Sequence, residues 1–244
     1  MKRILLSGGT GLLGTELLNI APSINAPSHQ EMDIAKCTSI EAAIGKYDPE
    51  IFLHCAGLVG TRECSQDLMS CMNINVHGTL NVISNCLRHD IRLVYISTEY
   101  AFDGKRGNYS EEDLVNPLSD YAKSKVAGEM MVRCYIESLI IRTTFCSPVK
   151  WKFEGAFTDQ FTSRDTVDVI GRDILRAALS ELTGVIHIGT ERKSQFDLAR
   201  RIDPYIKPLS ISQVDLPLPR DTSLNCSRWK DYNRSPPQAL GATH

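Results

Sequence analysis

Apolar residues fall in short runs separated by stretches with helical spacing. Lys2–Ser7 reads KRILLS and ends at Gly8-Gly9, which predicts a buried strand. Leu12–Ile20 follows as a helix opening after Gly11, and Ser23–Ser28 is a weak strand broken by Pro22 and Pro27. Ser39–Lys46 predicts a helix with Thr38 or Ser39 as its N-cap. Ile51–Cys55 (IFLHC) predicts a second apolar strand, and Leu68–His89 a long helix with a break near Gly78. Arg92–Ser97 (RLVYIS) predicts a third clear strand, Tyr121–Cys134 a helix and Leu139–Arg142 a fourth strand. Past Arg142 the pattern loosens. A helix over Asp165–Glu181, a strand over Gly184–Ile188 and a helix over Ser194–Ile202 precede a tail from Pro204 rich in proline and polar residues.

Strands alternating with helices predict β-α-β units, a parallel sheet and helices on both of its faces. The fold class is α/β: a Rossmann-type doubly wound sheet with a small C-terminal lobe. Residues 1–142 read as the nucleotide-binding unit and residues 143–244 as the smaller lobe. No internal repeat or low-complexity tract interrupts either.

Composition narrows the function. The 244 residues are 42% apolar and 23% charged, ordinary globular usage for a chain that buries its own core. Lys plus Arg number 27 and Asp plus Glu 29, a formal net charge of −2. No basic excess exists to neutralise nucleic-acid phosphates or hold a membrane surface. The apolar run Ile4–Leu6 is too short for a signal peptide, and no stretch approaches the roughly 20 apolar residues of a membrane helix. A soluble cytoplasmic protein is expected. The eight cysteines form no C-x-x-C pair, so buried free thiols in a reducing compartment are expected, with no metal required.

Gly8-Gly9-Thr10-Gly11-Leu12-Leu13-Gly14 places glycines at G-x-x-G-x-x-G between a strand and a helix. Glycine lets the backbone turn tightly and approach a pyrophosphate, which the helix N-terminus then attracts. In a dinucleotide fold, an acidic residue at the end of the second strand binds the ribose of NAD. Here that stretch is Asn25-Ala-Pro-Ser-His-Gln30, without a carboxylate, and Ser28 and His29 tolerate a 2′-phosphate. This tilts the cofactor toward NADP(H) over NAD(H). Asp33, a few residues later, is placed to face the adenine.

Tyr121 and Lys125 stand at i and i+4, on one helical face. A neighbouring ammonium favours the phenolate, so a lowered Tyr121 pKa is expected. The tyrosine then exchanges a proton with a carbonyl or alcohol while hydride moves to or from nicotinamide. Ser97-Thr-Glu-Tyr-Ala-Phe-Asp-Gly104 follows the third strand at its C-terminal end, where open α/β sheets hold their ligands. Thr98, ahead of Ser97, is the expected hydrogen-bond donor to a substrate carbonyl.

These residues together resemble the extended short-chain dehydrogenase/reductase superfamily and, within it, the dTDP-4-dehydrorhamnose reductase family. The resemblance runs through GGTGLLG (8–14), EMDI (31–34), YDPEIFLHCAG (47–57), STEYAFDG (97–104), PLSDYAKSKVAGE (117–129), LIIRTTF (139–145) and PRDTSLNCS (219–227). It implies Thr98, Tyr121 and Lys125 as the catalytic set. It implies Gly8, Gly11, Leu12, Leu13 and Gly14 at the pyrophosphate, Asp33 and Ile34 at the adenine, and Cys55, Ala56 and Gly57 along the path to the nicotinamide, with Tyr121 and Lys125 also holding cofactor. Thr98, Glu99 and Phe145 would meet the substrate, a nucleotide-linked 4-keto-6-deoxysugar. Two further readings are an NADP-binding regulatory subunit resembling the methionine adenosyltransferase β subunit, and a nucleotide-sugar epimerase or dehydratase.

The chain departs from the family pattern in places. Glu99 replaces the usual Asp, Ala101 a bulkier apolar residue, and the segment from Phe145 to Asp165 is shorter, which trims the substrate lobe. His54 reads as a satisfied core histidine, and Arg62, Glu63 and Asp67 as a solvated face. Trp151 and Phe153 read as packing against the small lobe, and Trp229 carries no assignment. The helices at 68–89 and 121–134 are the candidate surfaces for a homodimer.

Overall fold

The computed structural model describes residues 2–234; residues 235–244, the end of the proline-rich tail, lie outside the described residues. The chain opens with strand β1 (Ile4–Ser7) and helix α1 (Leu12–Ile20), then α2 (Cys37–Tyr47) and β2 (Ile51–His54). Helices α3 (Thr61–Gln66) and α4 (Leu68–Met72) lead through a π-helical turn, Asn73–Gly78, into α5 (Thr79–His89). Strand β3 (Arg92–Thr98), α6 (Asp120–Val132) and β4 (Ser138–Thr143) complete the first region. Four short strands follow: β5 (Phe145–Cys146), β6 (Gly155–Phe157), β7 (Phe161–Thr162) and β8 (Asp165–Thr166). Helix α7 (Val167–Leu179), β9 (Gly184–Ile188), β10 (Lys193–Ser194), α8 (Gln195–Ile202), β11 (Lys207–Leu209) and α9 (Ser227–Arg234) close the chain.

The central sheet has the order β1-β2-β3-β4-β9, every pair parallel. All residues of β1, β2, β3 and β4 are buried. Strands covered on both faces read as continuous apolar runs, which is why the pattern marked them. Alternate residues feed two cores. Ile4, Leu6, Leu53, Val94 and Ile141 face α1 and α7, while Leu5, Phe52, Leu93 and Ile140 face α2 and α5. The sheet takes its fifth strand from beyond residue 143, so the later half of the chain serves both the sheet and the lobe.

Several local expectations change. The weak strand at 23–28 reduces to one bridge, Asn25 to Leu5, on the edge of β1 opposite β2. The chain leaves β1 on one side and returns on the other, which creates a topological switch point at the glycine turn. Helix α2 starts two residues early, and neither Thr38 nor Ser39 caps it; the Ser39 hydroxyl accepts from the Asp33 N–H at 2.9 Å instead. The break near Gly78 is a π-helical turn within one helical run rather than a stop. Helix α3, carrying Arg62 and Glu63, was absent from the pattern because it is six residues long. Of the eight cysteines, Cys64, Cys71, Cys86 and Cys226 are buried, three are half-buried and Cys134 is exposed. Trp151 packs with Leu198, Ala199 and Ile206 in the lobe, Phe153 is 60% exposed, and Trp229 is buried in the core beneath α1 and α7.

Candidate active site

The glycine turn has the shape its sequence suggests. Gly8 has φ +79°, and a Cβ there would lie 2.8 Å from the Ala56 nitrogen. A Cβ on Gly14 would strike the Gly8 carbonyl, so helix and turn touch backbone to backbone. Helix α1 begins at Leu12 with Gly11 as N-cap, without a side-chain cap or an acidic residue in its first turn. Its first N–H groups and positive dipole end therefore face outward beside Leu12, Leu13 and Gly14. This cradle fits a dinucleotide pyrophosphate.

The expected adenine side is more occupied. Ser28 donates both its N–H and its hydroxyl to Glu31, at 3.0 and 3.1 Å, and Lys46 pairs with that carboxylate at 3.5 Å. Asp33 is half-buried, accepts from the Ala35 N–H at 3.0 Å and pairs with Lys36 at 3.3 Å. Ile34 is buried against Gly78, and its carbonyl accepts from Asn81.

Three elements converge at the C-terminal ends of β2 and β3. Thr98 ends β3; its hydroxyl accepts from the Tyr100 N–H at 3.2 Å and lies near enough to the Tyr121 phenol to influence it. Lys125 is buried one helical turn later, its Nζ 4.0 Å from the Tyr95 ring centroid and 4.0 Å from where a Gly57 Cβ would sit. Burial pushes the Lys125 ammonium down to about 8, opposed by Cys55, Glu129 and Cys71. Tyr121 moves the other way from expectation. Burial pushes its phenol up to about 12, eased by the nearby Thr98 hydroxyl, and Lys125 faces Tyr95 instead of lowering it. At neutral pH the tyrosine is a protonated acid.

Cys55, Ala56 and Gly57 connect the cradle to this face. The Ala56 N–H donates to Ser7 Oγ at 3.2 Å, and Ser7 Oγ contacts His54 Nδ1 at 2.8 Å. His54 Nε2 lies 3.1 Å from Thr79 Oγ1, so the histidine is a satisfied core residue. Burial first, and Lys125 second, hold its pKa down to about 3.

Sequence reasoning missed Asn75. It lies in the π-helical turn, brackets Leu58 by accepting from its N–H (2.8 Å) and donating to its carbonyl (3.0 Å), and also donates to Ser124 Oγ at 2.9 Å. It ties the loop after β2 to the helix bearing Tyr121 and Lys125. Irregular helical turns often mark functional sites, yet no periodicity announces one.

The lobe adds Arg164 and repositions Glu99. The Glu99 carboxylate is 1% exposed and accepts from Thr162 Oγ1 at 2.7 and 2.8 Å, with Arg164 at 4.0 Å. It ties β3 to the lobe and has no open face toward a substrate. Arg164 donates to Thr144 Oγ1 at 2.9 Å and Gln195 Oε1 at 3.3 Å. Its charge reaches Tyr121. Phe145 is half-buried on β5, paired with Asp165 and packed against the main core. Among the described residues no group of acidic, His and Cys side chains is arranged to hold a metal, and no helix is long and apolar enough to cross a membrane.

Known proteins share this fold. A dTDP-4-dehydrorhamnose reductase of Aggregatibacter actinomycetemcomitans is 27% identical over 209 residues, covering 83% of this chain and 69% of that protein. A dTDP-4-keto-6-deoxy-D-glucose reductase of Streptomyces niveus is 29% identical over 267 residues, covering 96% and 92%. The crystal structure of dTDP-4-dehydrorhamnose reductase from Bacillus anthracis str. Ames in complex with NADP superposes with a TM-score of 0.86 at 24% identity, covering 94% of this chain and 92% of that one, which shows the shared fold. Residues 1–176 match the family described as RmlD substrate binding domain, and the chain belongs to that family.

Proposed function

We propose that the protein is an NAD(P)H-dependent reductase of a nucleotide-linked 4-keto-6-deoxysugar. One observation supports this reading: buried Lys125, one turn after Tyr121 on α6, has its Nζ beside Gly57, on the loop that Gly8 of the glycine turn touches backbone to backbone. The activities named for the relatives from A. actinomycetemcomitans and S. niveus support the substrate class.

The cradle residues Gly8, Gly11, Leu12, Leu13 and Gly14 hold the pyrophosphate, and Lys125 the nicotinamide-side ribose. A bound nicotinamide dinucleotide supplies the hydride equivalent for C4 of the sugar. Tyr121 gives its phenolic proton to the C4 oxygen, and its raised pKa keeps that proton in place at neutral pH. Thr98 polarises the same carbonyl through its hydroxyl. Phe145 and Arg164 border the sugar nucleotide from the lobe. NADP(H) is preferred over NAD(H), supported by the lack of a carboxylate within Asn25–Gln30 and by the neutralisation of Glu31 by Lys46. Exposed Leu80 and Leu87 on α5 and Met130 on α6 support a homodimer through those helices.

The test is direct. Purified protein is mixed with NADPH or NADH and a dTDP-4-keto-6-deoxysugar, and nicotinamide absorbance is followed. Loss of absorbance dependent on the sugar is expected, faster with NADPH. Nicotinamide binding without turnover on any nucleotide 4-keto-6-deoxysugar would overturn the reading in favour of a regulatory subunit.

A further inference from the structure

Helix α6 carries one fully buried carboxylate that the proposed chemistry leaves without a role. Glu129 lies four residues after Lys125, so the two share a face of the helix. It accepts a hydrogen bond from Ser97 Oγ, next to Thr98 on β3. It also accepts from Arg142 of β4, at 3.0 and 3.1 Å from Nε and 2.7 Å from Nη2. Both members of the ion pair are 0% exposed. A buried ion pair is a poor source of stability, since desolvating two charges offsets most of their attraction. What this one does is geometric: a single carboxylate locks three elements, two of which present Thr98, Tyr121 and Lys125.

We infer that Glu129 is a positioning residue for the reaction, holding the end of β3 that bears Thr98, through Ser97, in place against the helix that bears Tyr121 and Lys125. This rests on the reductase reading for its kinetic arm and on cofactor binding alone for its second arm. The groups facing Lys125 come from every neighbouring element: His54 and Cys55 at the end of β2, Cys71 from α4, the Tyr95 ring from β3, and Glu129 on α6 itself. Glu129 is the acidic side chain in that set. Cys55 is held as a thiol by burial, which pushes it up to about 12, so it brings no charge beside the ammonium at neutral pH. The second link is steric. Tyr95 Oη donates to the Lys125 carbonyl at 3.2 Å, and a side chain on Gly128 would meet that hydroxyl at 2.5 Å, so α6 has no room to slide along β3 once Glu129 is bonded.

Three variants separate positioning from bulk stability. Glu129→Gln leaves Arg142 as an uncompensated buried cation, and Ser97→Ala removes only the link to β3. Glu129→Leu with Arg142→Met replaces the ion pair by apolar volume and restores charge balance. Thermal unfolding, kcat, KM and the pH dependence of nicotinamide binding are measured on each. Glu129→Gln should lower kcat roughly ten- to a hundredfold with KM little changed. The pH midpoint of binding, set by Lys125, should move toward acid by about one unit. The apolar double variant should recover thermal stability but neither kcat nor the midpoint. Recovery of both would reduce Glu129 to a structural role and overturn the inference. If Glu129→Gln does not fold, the double variant and Ser97→Ala decide it: unchanged kcat and midpoint in both overturn it, and a shifted midpoint sustains it. If wild-type protein binds nicotinamide without turnover, the reductase reading fails while the binding midpoints still test Glu129.

Discussion

In the sheet, β3 is buried along all seven residues and β4 along all six; in the lobe no strand exceeds three residues. The sheet is held by apolar side chains alternating between two large cores. The lobe is stitched by polar contacts across long loops: Thr162 to Glu99, Gln160 to the Pro219 carbonyl, Leu224 N–H to Ser163, and Arg192 stacked 3.7 Å over the Phe161 ring. The proposed proton chemistry sits on the sheet region, and the contacts that border a substrate come from the lobe. Rigid burial therefore positions the reacting groups, while adaptable hydrogen bonds shape what reaches them.

The largest expected effect divides the two regions kinetically. Tyr121→Phe removes the proton donor and should lower kcat roughly 10²- to 10⁴-fold, with nicotinamide affinity retained. Arg164→Met removes the lobe cation near Tyr121 and should raise KM for the sugar nucleotide roughly ten- to a hundredfold, with kcat changed less. Steady-state kinetics on both variants checks the division. It breaks if Arg164→Met lowers kcat as far as Tyr121→Phe does.

A smaller effect compares the forces that hold each region. Ile141 is fully buried on β4, so Ile141→Ala should cost about 2–5 kcal/mol of stability. Thr162→Val keeps the volume but removes the hydroxyl that donates to the buried Glu99 carboxylate, a loss of about 1–3 kcal/mol. Burial already raises the Glu99 pKa, so losing a donor also favours its protonation. Urea unfolding of the two variants measures both costs, and equal losses would mean that the lobe depends on its polar stitching as strongly as the sheet depends on its core.

The same contrast explains what the sequence revealed. Continuous runs such as ILLS and RLVYIS are legible because burial on both faces demands them, and the glycine turn because only glycine admits its backbone approaches. Thr98 and Tyr121 stand in the motifs STEYAFDG and PLSDYAKSKVAGE, which place them at the end of β3 and in the first turn of α6. The family resemblance makes Glu99 a substrate contact, whereas its carboxylate is buried against Thr162. Its partner Thr162 lies 63 positions away, a pairing no local pattern encodes. Two-residue strands such as β7 and β10 carry no periodicity. The Tyr121 pKa went the wrong way because i,i+4 spacing places Lys125 on the same face without saying that it turns to Tyr95.

The smallest effect reads the two regions separately in one protein. The chain has two tryptophans. Trp229 lies in the core beneath α1 and α7, and Trp151 in the small cluster with Leu198, Ala199 and Ile206. Trp229→Phe and Trp151→Phe therefore each leave one reporter. In urea the Trp151 signal should change first, because its cluster buries few side chains and opens at lower free energy. Acid should reverse the order. His54, inside the sheet region, has its pKa held down from 6.5 to about 3 by burial. Between those values the unfolded chain binds a proton that the folded chain refuses, so stability present above pH 6.5 declines as pH falls toward 3. His187 on β9 behaves alike, held down to about 3 by burial and by Arg142. The lobe's Asp165, held below its ordinary value by Thr166 and Lys193 against the opposing effect of burial, loses its contribution only below the usual carboxylate range. From pH 6.5 to 4 the fluorescence of Trp229 should therefore move before that of Trp151. A Trp151 signal leading in acid as it does in urea would place the weakest link of the molecule in the lobe under every condition.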